Sequence, residues 1–328
     1  MPSPRKGEKK QPFINRCVEH LITKEDRKPD QARAMCESLW EDKDKKKGES
    51  VNKIPLIMDS VINIPWAILP SKLDEIMAVL QSKNEGILLE MVEQNKQVEP
   101  QDRNYSVEDG IAEITINGIL SKRMNIIQAL SGGTSYQGIQ NQINKAESDP
   151  NVKGLFYDID SPGGNVDGLF NATDAIFNTK KPSLSFANGL MASAAYIMGS
   201  GTDYVVAADR SVEIGSLGVI AVLFDESKKY EAAGIKPTVF AAGKYKKIGN
   251  KYEPLSDQDK KYIQGKLDYM YSLAVDTISR HRNMSVKEMI DHEVVGGDVF
   301  IGEQAINIGL VDEILNKEQA IARLKEMI

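Results

Sequence analysis

Histidine, the residue acid-base chemistry draws on most often, is scarce here, since the chain has only three: His20, His281 and His292. None falls among the β-rich runs that begin near Gly110, so a Ser-His-Asp arrangement needs His281 or His292 to fold back onto them. The other route to an activated hydroxyl pairs a serine with a lysine whose ammonium form is disfavoured by burial. Ser193 fits the serine's part: in GLMASAAYIM it follows a strand-like run, lies among small residues and opens a helical run. Free backbone amides and the dipole at a helix start favour an alkoxide or a tetrahedral oxyanion. A serine in such a run is also a common packing or capping residue. For the base, AGKYKKIGN offers Lys244, Lys246 and Lys247 behind the strand-like Thr238 to Ala241, and spacing alone does not choose among them.

Ser161-Pro162-Gly163-Gly164 reads as a tight turn at the carboxyl end of a strand-like run, the edge of an open α/β sheet where ligands bind. The glycines leave backbone N–H groups unshielded, which suits an oxyanion or an extended peptide. An ordinary strand-to-helix turn is the plainer reading. Asp158 and Asp160 stand two apart on a strand and so share a face, with solvated or capping roles expected. Ser3-x-x-Lys6 and Ser50-x-x-Lys53 lie in a charged tail and linker, where nothing dries a lysine. His292 has acidic neighbours but no second histidine at ligand spacing, and reads as a surface turn. Phosphate-binding glycine patterns are absent.

The elements that must position these residues follow from periodicity. Residues 13 to 40 carry two apolar helical faces, Phe13, Cys17 and Leu21, then Ala32, Met35, Cys36, Leu39 and Trp40, separated by a charged turn. This predicts a small helical hairpin, and the charged run Glu41 to Ser50 reads as its linker. Pro65 to Pro70, with Trp66, leads into an amphipathic helix carrying Leu73, Ile76, Met77 and Leu80, and polar residues then run to Asp109. Strand-like and helical runs alternate from Gly110: Ile111 to Ile116, a helix near Ser135 to Glu147, Gly154 to Ile159, a helix near Asp167 to Asn178, Ser183 to Ala187, the helix from Ser193, Tyr204 to Val206 and Val219 to Leu223. Such alternation predicts α/β units around a mostly parallel, buried sheet. Ser256 and Asp259 can cap a long helix with Ile263, Leu267, Met270, Leu273 and Ile278 on one face. The expected organisation is therefore 1–50 hairpin and linker, 51–109 leading segment, and 110–328 main domain.

The 328 residues are 41% hydrophobic and 27% charged with formal net charge −6, which gives no clustered basic surface for nucleic acid. The two cysteines, Cys17 and Cys36, form no CxxC pair and are expected to be reduced, buried thiols of a cytoplasmic protein. The longest largely apolar run, Ile214 to Phe224, is shorter than the roughly 18 residues of a membrane span, and the N-terminus carries no apolar signal region.

From about Gly110 to Ile314 the chain resembles the signal peptide peptidase A family, and within it the bacteriophage head maturation (prohead) proteases. The matching pieces, in the family's order, are SPGG at 161–164, MASAAYIM at 191–198, GSLGVI at 215–220, AGKYKKIGNKYEPLS at 242–256 and GGDVFIGEQAINIGLVDEI at 296–314; WAILP at 66–70 also matches the phage branch. The resemblance implies a Clp/crotonase-type superhelix of ββα units and a serine endopeptidase with a Ser-Lys dyad, no cofactor and no metal. It puts the nucleophile on Ser193 and the base on Lys246, within Ala-Gly-x-x-Lys. It further puts oxyanion N–H groups at Gly163, Gly164 and Ala194, and a lysine-orienting hydroxyl on Ser216. Lys244-Tyr245 departs from the family's frequent Ala-His and makes Lys244 a rival for Lys246. The implied partners are capsid or scaffold proteins and further copies of the chain, because such proteins commonly form rings. The hairpin's AMCESLW resembles a segment of tailed-phage head proteins. Rival readings are degradation of signal peptides, an inactive scaffold-like relative, crotonase acyl-CoA chemistry, and a Clp-type Ser-His-Asp site.

Overall fold

The computed structural model describes residues 8–25, 28–37, 39–40, 64–81, 105–123 and 133–328. The linker Glu41 to Ser50 and most of the polar stretch before Asp109 lie outside these residues. The chain divides into two compact units, Met1–Asp59 and Ser60–Ile328.

In the smaller unit, α1 (Lys10–Glu25) packs against helical residues 29–37 and 39–40. Phe13, Ile14, Cys17, Leu21, Ala32 and Cys36 form its buried core. Both cysteines sit on the apolar faces that the periodicity defines, so packing those faces brings them together. Cys17 and Cys36 are disulfide-bonded, with Cα atoms 5.9 Å apart, which corrects the expectation of free thiols. Closing a 19-residue loop stabilises such a unit by about 3 kcal/mol in the chain-entropy account.

The larger unit contains β1 (Trp66–Ile68), α2 (Pro70–Gln81), β2 (Ser106–Glu108), β3 (Ile111–Asn117), β4 (Leu120–Ser121), β5 (Thr134–Ser135), α3 (Tyr136–Ser148), β6 (Gly154–Ser161), β7 (Gly163–Asn165) and α4 (Leu169–Phe177). There follow β8 (Ser183–Ala192), α5 (Ala194–Gly199), β9 (Tyr204–Ala207), β10 (Glu213–Gly215), α6 (Ser227–Ala232), α7 (Asp257–His281), α8 (Val286–Asp291), β11 (Val299–Ile301), α9 (Glu303–Asn307), β12 (Glu313–Ile314) and α10 (Lys317–Met327). The large sheet runs β11-β10-β8-β6-β3-β2, with β9 and β12 branching from β8, and the small sheet runs β1-β7-β4-β5. Its inner pairs are parallel and only the outer pairs β2–β3 and β10–β11 are antiparallel.

Two successive passages, β3-β4-β5-α3 and β6-β7-α4, leave the large sheet, add to the small one and return through a helix. This is the ββα superhelix the family resemblance implies. The two corners are tied together: the Gly118 N–H donates to the Asp160 carbonyl, and the Ser161 hydroxyl donates to the Gly118 carbonyl. Strand β6 reads as a near-continuous apolar run because helices cover both faces, whereas β3 alternates, with Glu113, Thr115 and Asn117 half-buried. Ile114, Ile116, Tyr157 and Ile159 meet α3, α4 and α5 on one side, while Phe156, Leu184 and Phe186 meet Ala320 and Leu324 of α10 on the other. Asp158, expected to be solvated, is buried and pairs with Lys317 at 2.9 Å; Lys317 also reaches Glu113 at 2.7 Å.

Three expectations need correction. Val219 to Leu223 and Thr238 to Ala241 are not strands; only Ile220 pairs, with Trp66. Apart from Ile220, these apolar runs lie half-buried or exposed, without strand pairing to satisfy their backbone groups. Helix α7 has the expected capping box at Ser256 and Asp259, but it buries only Ala274, Val275, Thr277 and Ile278, at its far end.

His281, at that far end, does fold back onto the core. Its Nδ1 lies 3.0 Å from the Ser200 hydroxyl and its ring stacks on Phe177 at 4.4 Å. The Ser200 hydroxyl donates to the Ile197 carbonyl, so it is placed to accept from a protonated Nδ1, while Nε2 is buried without a partner. Burial, then the charges of Arg280 and Arg282, lower its pKa to about 4. A histidine with a lowered folded pKa gives stability that is complete above its ordinary value near 6.5 and is lost as pH falls toward about 4. The melting temperature should therefore drop over that window, and less steeply in His281→Leu. An equally steep drop in the variant would place the titrating group elsewhere.

Candidate active site

Strand β8 delivers Ser193 to the top of the large sheet and α5 starts immediately after it. The backbone there turns through φ 53°, ψ −117°. A non-glycine residue in such a conformation costs of order 1–3 kcal/mol and persists only where its surroundings impose it. Here the Ser193 N–H donates to the Gly215 carbonyl at 2.6 Å, and its own carbonyl accepts from Ile197 at 2.9 Å. Ser193 stands at the N-cap position, as the sequence suggests, yet its side chain makes no capping bond. The hydroxyl instead faces the Gly218 carbonyl at 3.5 Å, a long contact that leaves the oxygen uncommitted.

Strand β10 runs parallel to β8 with Gly215 opposite Ala192, so Ser216 is next to Ser193 at the ends of adjacent strands. Ser216 also has a positive φ, 53°, and is buried; its N–H donates to the Asp298 carbonyl at 2.6 Å. Gly215 must be glycine, because its φ is 124° and a Cβ would lie 2.7 Å from the Asp298 carbonyl.

The SPGG stretch is a corner between two strands and does not lead into a helix. Gly163 has φ 97°, and a Cβ there would strike the Ala67 carbonyl and lie 3.0 Å from the Ala192 carbonyl and 3.1 Å from the Ala194 nitrogen. A Cβ on Gly164 would run into the Leu120 backbone. Close backbone approach therefore demands both glycines and brings Gly163 beside Ser193 and Ala194. The Gly163 N–H donates to the Ser161 hydroxyl at 3.1 Å, so this expected oxyanion donor is engaged in the structure. Ser161 as its holder was not foreseen from the sequence; a serine before Pro-Gly-Gly gives no local signal of its partner.

The structure thus gathers Ser193, Ala194, Gly163, Gly164 and Ser216. It does not bring Lys246 to them: Lys246 is exposed, in a turn closed by its N–H donating to the Gly243 carbonyl. Among the described residues, Lys247 pairs with Glu253 at 3.1 Å and Lys244 lies 5.1 Å above the Tyr245 ring, whereas the Lys246 ammonium has no side-chain partner. His281, with its polar contact at Ser200, is not hydrogen-bonded to Ser193. The described residues contain no group of three or more His, Cys, Asp or Glu that could hold a metal ion, and no helix long and apolar enough to cross a membrane.

The pattern of peptidase family S49 matches residues 175–328, which include Ser193, Ser216 and Lys246. Capsid assembly protease C of Escherichia phage lambda is 31% identical over 230 residues, 70% of this chain and 52% of that protein. Head-tail preconnector protein GP5 of Enterobacteria phage P21 is 31% identical over 222 residues, 67% of this chain and 44% of that protein. The chloroplastic serine protease SPPA of Arabidopsis thaliana is 27% identical over 66% of this chain and 32% of its own length. The chain spans about half the length, or less, of these relatives. Among solved structures, an enoyl-CoA hydratase/isomerase family member aligns at 15% identity and TM-score 0.41 over 68% of this chain and 74% of its own. With the family's pattern over residues 175–328 and a phage capsid assembly protease and a serine protease SPPA among its relatives, the chain carries a domain of peptidase family S49.

Proposed function

We propose that the chain is a serine endopeptidase that uses Ser193 as nucleophile and Lys246 as general base, and that it cuts capsid or scaffold proteins during phage head maturation. The observation that carries this reading is Ser193 itself, held at positive φ between β8 and α5 with its hydroxyl left out of the helix cap. Neutral Lys246 takes the hydroxyl proton as Ser193 Oγ attacks the scissile carbonyl. The oxyanion that forms is met by the Ala194 N–H and by the glycine corner. The protonated lysine then gives its proton to the leaving amine, and a water molecule, deprotonated by the same lysine, hydrolyses the acyl-enzyme.

Lys246 stands in water in the single chain, so its drying falls to bound substrate or to another copy of the chain, consistent with a homo-oligomer. Ser216, one strand over from Ser193, is placed to orient the lysine once it arrives. The choice of substrate rests on the two phage relatives named for capsid assembly and for a head-tail connection. Co-expression with the major capsid and scaffold proteins encoded beside it should yield discrete cleavage products by mass spectrometry with the wild type and none with Ser193→Ala. Intact capsid and scaffold proteins alongside degraded, detergent-solubilised signal peptides would assign it the other substrate.

A further inference from the structure

The leading segment Trp66–Ile68 has no part in the chemistry above, yet it is held on both edges beside the candidate site. On one edge it runs antiparallel to β7, with Trp66 opposite Asn165, Ala67 opposite Gly164 and Ile68 opposite Gly163. The pairing is prolonged by Leu69 N–H donating to the Pro162 carbonyl at 2.8 Å and Val166 N–H donating to the Pro65 carbonyl at 3.3 Å. On the other edge Trp66 and Ile220 exchange two N–H···O bonds, both 2.8 Å. An extended piece of the chain therefore threads between the glycine corner and the segment whose Gly218 carbonyl faces the Ser193 hydroxyl. The Ala67 carbonyl and the Ala194 nitrogen crowd the same point, the position a Cβ on Gly163 would take.

Two features of this arrangement suit a resting state. Extended peptides are recognised by strand addition, where backbone bonds give affinity and alternate side-chain pockets give selectivity. Here the strand place between β7 and Ile220 is filled, with Trp66 and Ile68 only 2% and 3% exposed. Independently, the Gly163 N–H is turned onto Ser161 and away from any oxyanion.

We propose that Trp66–Ile68 is a built-in pseudosubstrate: the slot between Gly163–Asn165 and Ile220 is the binding site for an extended polypeptide, and the chain's own strand closes it until displaced. This rests on the peptidase reading of Ser193. The side chains of β1 name the class of segment the slot takes, one with bulky apolar residues on either side of a small one, as in Trp66-Ala67-Ile68. Opening the slot frees the edges of both β7 and Ile220 for that segment, and relaxing the corner at Gly163 returns its N–H to the site.

Hydrogen exchange on the full chain tests this, with two serine reagents compared: a small alkyl fluorophosphonate and a phosphonate carrying a bulky-Ala-bulky tripeptide. While the Ile220 amide, re-bonded to the reagent's backbone, should keep its protection with either reagent, the peptidyl reagent should remove protection from the amides of 66–68 and the small reagent should leave them protected. If Ser193 is labelled by the peptidyl reagent and those amides stay protected, β1 is a permanent wall and the inference fails. If neither reagent labels Ser193, the peptidase reading falls first and this inference with it. As a second measurement, Trp66→Ala should raise kcat/KM toward a short peptide by roughly tenfold, since a strand that leaves more readily raises the competent fraction. A folded Trp66→Ala with lowered kcat/KM would also overturn the inference, and where the variant fails to fold the exchange experiment on the wild-type chain decides.

Discussion

Ser193→Ala should keep the fold and lose turnover by roughly four to six powers of ten, the usual cost of removing a covalent nucleophile. The fold should survive because the hydroxyl makes one long contact, 3.5 Å to the Gly218 carbonyl, and caps nothing. The strained backbone at φ 53° is imposed by main-chain bonds to Gly215 and Ile197, which an alanine keeps. Alanine and serine pay a similar cost at positive φ, so stability should change little. Peptide turnover, an unchanged circular dichroism spectrum and loss of fluorophosphonate labelling measured together separate a chemical defect from a structural one. Turnover near the wild-type rate in a folded variant would remove Ser193 from the mechanism.

Lys246→Arg should be as inactive as Lys246→Ala, although it keeps the positive charge, because a guanidinium does not give up its proton in a protein. The expected loss is of several powers of ten in kcat/KM with no change in melting temperature, since the side chain is exposed and unpaired among the described residues. Lys247→Ala and Lys244→Ala are the informative controls. The first breaks an exposed ion pair with Glu253, worth at most about 1 kcal/mol, and the second removes an ammonium lying over Tyr245. Both should retain turnover. Abolished activity in Lys244→Ala together with activity in Lys246→Ala would move the base to Lys244. The arginine variant is the sharper of the two Lys246 substitutions: a role in electrostatic attraction of substrate would leave it active, and a proton-transfer role would not.

The filled strand slot and the exposed lysine point the same way. On the proposed reading, a chain with Lys246 in water and Trp66–Ile68 in the strand place would cut little before its substrates are gathered around it. Two separate events complete the site in this account, departure of Trp66–Ile68 and drying of Lys246, and each can be followed by its own measurement.

Local interactions made much of this protein legible in the sequence. Strand β6 and the first half of β8 announce themselves as runs buried on both faces and β3 by its alternation, and α3 and α7 announce their starts through Ser135 and Ser256, whose side chains accept from backbone amides three residues on. The position of Ser193 between a strand and a small-residue helix was legible for the same reason, and the scarcity of histidine narrowed the choice of base before any coordinate was known. What joins residues distant in the chain was not legible. Cys17 and Cys36 look like ordinary apolar positions until the two helical faces pack and set their Cα atoms 5.9 Å apart. Val219 to Leu223 has a strand's composition, yet only Ile220 finds a partner, in Trp66, because pairing depends on which edges remain free once the sheet is complete. His281 on Ser200 and Trp66–Ile68 between β7 and Ile220 are contacts across 81 and about 100–150 residues respectively. Periodicity and caps are set by neighbours within a few residues, whereas the side-by-side ends of β8 and β10 and the strand Trp66–Ile68 between β7 and Ile220 exist only after the whole chain has closed around them.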